Sequence, residues 1–196
     1  LYNIPLVTRF RGELDASALE RAIQTVMQRH EVLRTGFIAV NGTPFQKVHK
    51  ELAFALPIFD ISAETEVEQR VRDFAVKEWR QPFDLSKPPL FRAALLKVSA
   101  GEHVLVIILH HIITDGWSNG ILLREVAALY AAFVQQKPSP LPPLEFQYAE
   151  YANWQRKFLS GGQFETQLAF WKEHLAQAPP HLDLPTDRPR PAFQSN

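Results

Sequence analysis

The chain of 196 residues has no cysteine, which rules out a disulfide framework and a thiol nucleophile. That absence fits a reducing cytoplasm, the compartment expected for it. It also has no net charge, since 21 Lys and Arg offset 21 Asp and Glu. There is therefore no overall basic bias of the kind that marks a nucleic-acid groove or a protein held on an anionic membrane, and neither partner is expected. No apolar run approaches the roughly 20 residues that span a bilayer. The opening Leu1-Tyr2-Asn3-Ile4-Pro5 is not a secretory signal. Internal repeats and low-complexity tracts are lacking as well. What is present has globular composition, 46% hydrophobic and 21% charged, in a length suited to one domain or one lobe of a larger one.

Strands and helices mix along the whole chain. Residues 5–11 read as a strand, and Asp15 is a good N-cap for a helix whose apolar face is Ala18, Leu19, Ala22, Ile23, Val26 and Met27. That helix is expected to end near His30. Residues 35–40 and 44–49 flank Asn41-Gly42, a strong hairpin signal. Val67, Val71, Phe74 and Ala75 mark a second helix closing near Trp79, and a proline-rich loop follows from Pro82 to Pro89. Residues 90–98 and 103–109 are expected to be a strand pair. A long helix follows from about Ser118, which reads as its N-cap, then a proline-rich connector over residues 137–143. Two further helices, near 148–160 and 163–177, are separated by Gly161-Gly162; their aromatic residues are expected to be core. Residues 179–191 are irregular and extended. The pattern predicts an α/β sandwich in which helices cover a mixed, mostly antiparallel sheet.

The densest chemistry is His110-His111-Ile112-Ile113-Thr114-Asp115-Gly116-Trp117-Ser118, directly after the apolar run 104–109. It reads as a strand that ends in two histidines and turns through Asp-Gly into a helix. Histidine titrates near neutral pH and can accept a proton at working pH. Neighbouring strand residues point to opposite faces, so one histidine can enter a reaction channel while the other packs into the fold. The pair by itself reads more simply as two satisfied core histidines. Metal ligation is not expected, because adjacent strand histidines diverge and no cysteine or His-x-x-x-His pair supports them. Asp115 lies beyond the strand end and can brace the turn, while Gly116 can take a backbone conformation closed to other residues.

Residues 29–37, Arg-His-Glu-Val-Leu-Arg-Thr-Gly-Phe, close the first helix and start the next strand. Arg29 and His30 suit the negative end of the helix dipole. Arg34 sits at a strand entrance among apolar residues, where a buried arginine needs a carboxylate. The expectation is an Arg34–Asp115 pair that fixes the turn carrying His111; the alternative is that each is solvated separately.

The full His-His-x-x-x-Asp-Gly string resembles the signature of the chloramphenicol-acetyltransferase-like acyltransferases. Residues 29–37 resemble the second core motif of nonribosomal peptide synthetase condensation domains, 110–118 their third and 147–155 their fourth. Tyr2-Asn3-Ile4-Pro5 and Leu184-Pro185-Thr186-Asp187-Arg188-Pro189-Arg190-Pro191 are typical of the same family, so the resemblance runs through nearly the whole chain. It implies that residues 1–196 are the N-terminal lobe of such a domain, with the first motif and the C-terminal lobe outside them. It implies an amide-forming acyltransferase of secondary metabolism and antibiotic biosynthesis. His111 would serve as general base or as the group that orients the amine. His110, Asp115, Gly116 and Arg34 would support it, with Gly116 offering a backbone N–H to a developing oxyanion. No cofactor is expected on this lobe; substrates would arrive on the 4'-phosphopantetheine of upstream and downstream carrier proteins. The C-terminal lobe and an adenylation domain would be further partners. Two rivals stand beside this reading, an acyl-CoA-dependent O-acyltransferase and a non-catalytic docking lobe. Docking lobes of the family usually have a damaged His-His-x-x-x-Asp-Gly string, and here it is whole.

Overall fold

The computed structural model describes residues 2–179, 185 and 187–189. The elements, in chain order, are β1 (Asn3–Arg11), α1 (Ala16–Arg29), a 3-10 turn (Glu31–Arg34), β2 (Thr35–Val40), β3 (Thr43–Val48), β4 (Ile58–Asp60), α2 (Val67–Arg80), β5 (Phe91–Ser99), β6 (Glu102–His110), α3 (Gly116–Val134), α4 (Tyr148–Leu159) and α5 (Gly162–His174). Most of the expected extended stretch over 179–191, including half of the Leu184 to Pro191 segment, lies outside the described residues. The chain forms two compact units, Leu1–Tyr151 and Ala152–Asn196.

In the first unit one sheet has the order β1-β6-β5-β4. β6 is antiparallel to both β1 and β5, and β4 joins the edge in parallel, giving the mixed, mostly antiparallel sheet expected. The unbroken apolar run 104–109 follows from this central position. Leu105, Ile107 and Leu109 pack with α1 and α3 on one face, while Val104, Val106 and Ile108 pack with α2 on the other. A strand covered on both faces has no reason to alternate.

Local signals account for the helices and the hairpin. The Asp15 side chain accepts from the Ala18 N–H at 2.9 Å, and all six expected apolar-face residues of α1 are buried. The helix stops at His30, whose backbone is extended while its N–H still reaches the Val26 carbonyl at 3.0 Å. β2 and β3 form a separate two-stranded sheet whose turn holds Asn41 at φ 50 and Gly42 at φ 79, the left-handed pair that Asn-Gly supplies. Gly36 on β2 lies so close to the 82–89 loop that a Cβ there would meet the Ser86 carbonyl oxygen at 3.0 Å.

In α4 and α5, no residue is buried. Trp154, Phe170 and Trp171 each remain more than half exposed, which corrects the expectation that these aromatics are core. In α5, Phe170 and Trp171 are sequence neighbours and project about 100° apart around the helix axis.

The C-terminal carbonyls of α2 are tied to the edge of the sheet. Buried Asn3, opposite His110 in the β1–β6 register, donates through Nδ2 to the Trp79 and Gln81 carbonyls, each at 2.7 Å. The Trp79 indole N–H returns a bond to the Asn3 carbonyl at 2.8 Å. Asn3→Ala is expected to lower stability by about 1–3 kcal/mol through lost and unsatisfied hydrogen bonds. Asn3→Asp should be worse, since a carboxylate would face two carbonyl oxygens. Guanidinium unfolding of the three proteins checks the order.

Candidate active site

β6 ends at His110, and the two histidines separate as strand parity requires. His110 continues the row of Val104, Val106 and Ile108, and its ring lies 6.2 Å from Phe83, edge-on, and 6.3 Å from Tyr2. Its Nδ1 accepts the Ile112 N–H at 3.1 Å. Burial, and then the neighbouring His111, push its pKa below the ordinary histidine value. His110 is thus held neutral and turned into the fold.

His111 goes the other way. Its backbone N–H donates to the Tyr2 carbonyl at 2.7 Å, and its side chain lines a cavity of about 320 Å³. Val32, Leu33, Ile113, Ile121 and Leu122 give that cavity apolar walls, and Thr114, Asp115 and Ser118 line it beside the imidazole. His111 Nδ1 is 2.8 Å from the Thr114 carbonyl oxygen. A carbonyl only accepts, so Nδ1 carries the proton and the neutral ring keeps its lone pair on Nε2. A base with its free lone pair fixed on one nitrogen, beside an apolar cavity, is equipped to take a proton or to hold an N–H or O–H donor.

Asp115 caps α3. Its side chain accepts from the Ser118 N–H at 2.7 Å, and bonds from the Ser118 hydroxyl and N–H hold its carboxyl below the usual range. This corrects the expectation that Ser118 is the N-cap. Gly116 and Trp117 are already helical, so the helix begins one step after Asp115, and Ser118 is the donor that Asp115 receives. Gly116 does not adopt a left-handed backbone either; among the described residues only Gly12 and Gly42 are glycines of positive φ. The space where its Cβ would be is open, with no atom from beyond its own helix turn within 4 Å.

The expected Arg34–Asp115 pair does not form. Arg34 is buried, and its guanidinium donates to three backbone carbonyls: His49, Lys50 at 3.1 Å and Gln28 at 3.2 Å. It binds the end of α1 to the segment after β3. A guanidinium fork can satisfy several carbonyls at once, which suits it to a place where a helix end and a strand end meet.

Sequence reasoning passed over four residues that shape the site. Glu125 of α3 receives Arg29 Nε at 3.2 Å and His30 Nε2 at 2.7 Å, all three largely buried, with His30 on the cavity wall. Its signal was one acid on the helix face of Ile121, Leu122, Val126 and Leu129. Gln147 accepts the Glu31 N–H and donates to the Arg29 carbonyl, both at 3.0 Å, which ties the connector to the end of α1. Thr114 and Asn119 join through their side chains at 2.7 Å, a contact with no sequence signature. Among the described residues no group of His, Asp and Glu forms a metal site.

Because Asp115 is more acidic in the folded chain than in the unfolded one, its stabilising effect is complete above the ordinary carboxylate range. It is lost as pH falls through that range toward the depressed value. Asp115→Asn keeps a capping oxygen without the charge. Its melting temperature should therefore fall less steeply on acidification than that of wild type, as melting curves over a series of acidic buffers will show.

A family model described as Condensation domain matches residues 1–196. The chain is 44% identical over 194 residues to malpinin synthetase of Mortierella alpina, covering 99% of this chain and 2% of that protein. It is 39% identical over 194 residues to gramicidin S synthase 2 of Aneurinibacillus migulanus, covering 99% of this chain and 4% of that protein. It thus spans only a few per cent of the length of the curated relatives it matches. Among solved structures, the X-domain from teicoplanin biosynthesis superposes with a TM-score of 0.81 at 34% identity, over 98% of this chain and 42% of that one. The starter condensation domain of rhizomide synthetase superposes at 0.83 and 24% identity, over 91% of this chain and 43% of that one, a likeness of fold. With the family model matched from end to end and solved members superposing on nearly the whole of it, the chain belongs to the condensation-domain family.

Proposed function

We propose that this chain is the histidine-bearing lobe of an amide-forming condensation domain in nonribosomal peptide synthesis, with His111 as its catalytic residue. The observation that carries the reading is the 2.8 Å contact of His111 Nδ1 with the Thr114 carbonyl at the cavity, which assigns the acceptor lone pair of the neutral ring to Nε2. In the reaction, the α-amine of an aminoacyl thioester attacks the carbonyl carbon of an aminoacyl or peptidyl thioester. A C–N bond forms, the tetrahedral intermediate collapses with loss of the C–S bond, and the proton leaving the amine ends on the departing thiolate. Nε2 accepts the hydrogen of the attacking amine, as general base or as the group that orients it. General-base help is worth ~10²–10⁴ in rate, and orientation alone can supply as much.

The supporting roles follow from position. His110, held neutral, anchors the end of β6. Asp115 starts α3 and sets the turn, and Arg34 fixes the segment after α1 from a distance. Gly116 lies in the first turn of α3, where N–H groups have no intrahelical acceptor. Its N–H is available to a developing oxyanion, a term often as large as acid–base help. Both substrates ride on phosphopantetheine arms of carrier proteins. The solved domains of this family that the chain matches are more than twice its length, and the facing wall of the channel is assigned to a second lobe.

The solved complex of the teicoplanin X-domain with OxyB, at 33% identity, supports a second reading, a docking lobe without chemistry. The whole His-His-x-x-x-Asp-Gly string and the preset tautomer favour catalysis.

The test is single-turnover condensation by the intact parent domain with loaded donor and acceptor carriers. His111→Ala should lower the rate by ~10²–10⁴ at an unchanged melting temperature. Full activity in that variant would remove His111 from the mechanism. Ester formation from soluble acyl-CoA and an alcohol, without carriers, would establish the O-acyltransferase instead. A folded wild type inactive with every donor but still binding a partner enzyme would establish docking.

A further inference from the structure

We infer that Asn119 and Thr114 are positioning residues that set the tautomer of His111, an assignment that rests on the role of His111 proposed above. A neutral imidazole can carry its proton on either nitrogen, and what the ring meets decides which. Here the deciding partner is a backbone carbonyl three residues on, Thr114 O at 2.8 Å from Nδ1. Thr114 belongs to the turn between β6 and α3, and its carbonyl aims at the imidazole only while the residue keeps its orientation.

The first half of that turn is well held. The His111 N–H reaches Tyr2, the Ile112 N–H reaches the His110 ring, and the Ile113 N–H reaches the His110 carbonyl at 3.0 Å. All of these bonds act before Thr114. The tie that acts on Thr114 itself is the 2.7 Å bond from its hydroxyl to Asn119 Oδ1. Asn119 stands in the first turn of α3, where its N–H bonds the Asp115 carbonyl at 3.0 Å. The helix thereby controls, through one side chain, the residue whose carbonyl selects the nitrogen that His111 leaves free.

A buried threonine hydroxyl needs an acceptor in any case, so loss of stability alone would not separate positioning from packing. The tautomer does separate them. The intact condensation domain carrying this chain is prepared with isotope-labelled histidine, and the ring-nitrogen shifts of His111 are read by NMR, with His111→Gln identifying the signals. Wild type and Asn119→Asp, which keeps an acceptor oxygen, should show Nδ1 protonated and Nε2 bare. Asn119→Leu should show both tautomers, with kcat for condensation down about tenfold and KM for the loaded carriers unchanged.

Thr114→Val, which removes the hydroxyl and keeps the carbonyl, should give the same shifts and serves in place of Asn119→Leu if that protein does not fold. A folded Asn119→Leu or Thr114→Val protein with the wild-type tautomer overturns the inference. A mixed tautomer with undiminished kcat upholds the positioning and removes His111 from the reaction, so the two claims fail separately.

Discussion

β6 lies between β1 and β5 with six successive residues, 104–109, out of contact with water, and a strand so placed must be apolar on both faces. That constraint brings the histidines to the surface together. Polar side chains are costly along such a strand and tolerable where it ends. The pleat then divides them: His110 inherits the face that packs on α2, and His111 the face that packs on α1 and α3. The cavity lies on the second face because the 3-10 turn after α1 and the start of α3 leave room beside Leu109. The division of labour between two identical side chains is thus a consequence of strand geometry more than of their sequence neighbours.

Much of this was legible in the amino-acid order alone. The faces of α1 and α2, the Asn-Gly hairpin and the strand pair ending in histidines all appear where periodicity and turn chemistry place them, because each depends on local geometry and on burial of one stripe. The polar support was legible only in part. Asp115 was expected to brace the turn, and it does, but as a helix cap and not through Arg34. Arg34 was given a carboxylate because a buried cation must be balanced, yet its partners are carbonyls, which every residue has and no sequence distinguishes. Asn119 and Thr114 went unnoticed for the same reason, since the group they control is a backbone oxygen. Glu125 was open to detection, as a lone acid on an apolar helix face is an anomaly that asks for a cation.

The choice of neutral backbone groups over charges has a chemical consequence. Had His111 been oriented by a carboxylate, its proton affinity would have been raised and tied to the ionisation of that acid. A carbonyl fixes the same tautomer without titrating. The nearby anion, Asp115, has its charge taken up by the Ser118 hydroxyl and N–H, and it ionises readily enough to be constant wherever histidine titrates. His110 is pushed toward the neutral form by burial, so the adjacent ring does not add a second positive charge beside the cavity. Neither neighbour on the turn therefore brings a changing charge to the His111 ring: Asp115 stays an anion, and His110 is disfavoured as a cation. An acceptor nitrogen beside an apolar-walled cavity gains from that constancy, because a charge that came and went on the same turn would shift its own proton equilibrium.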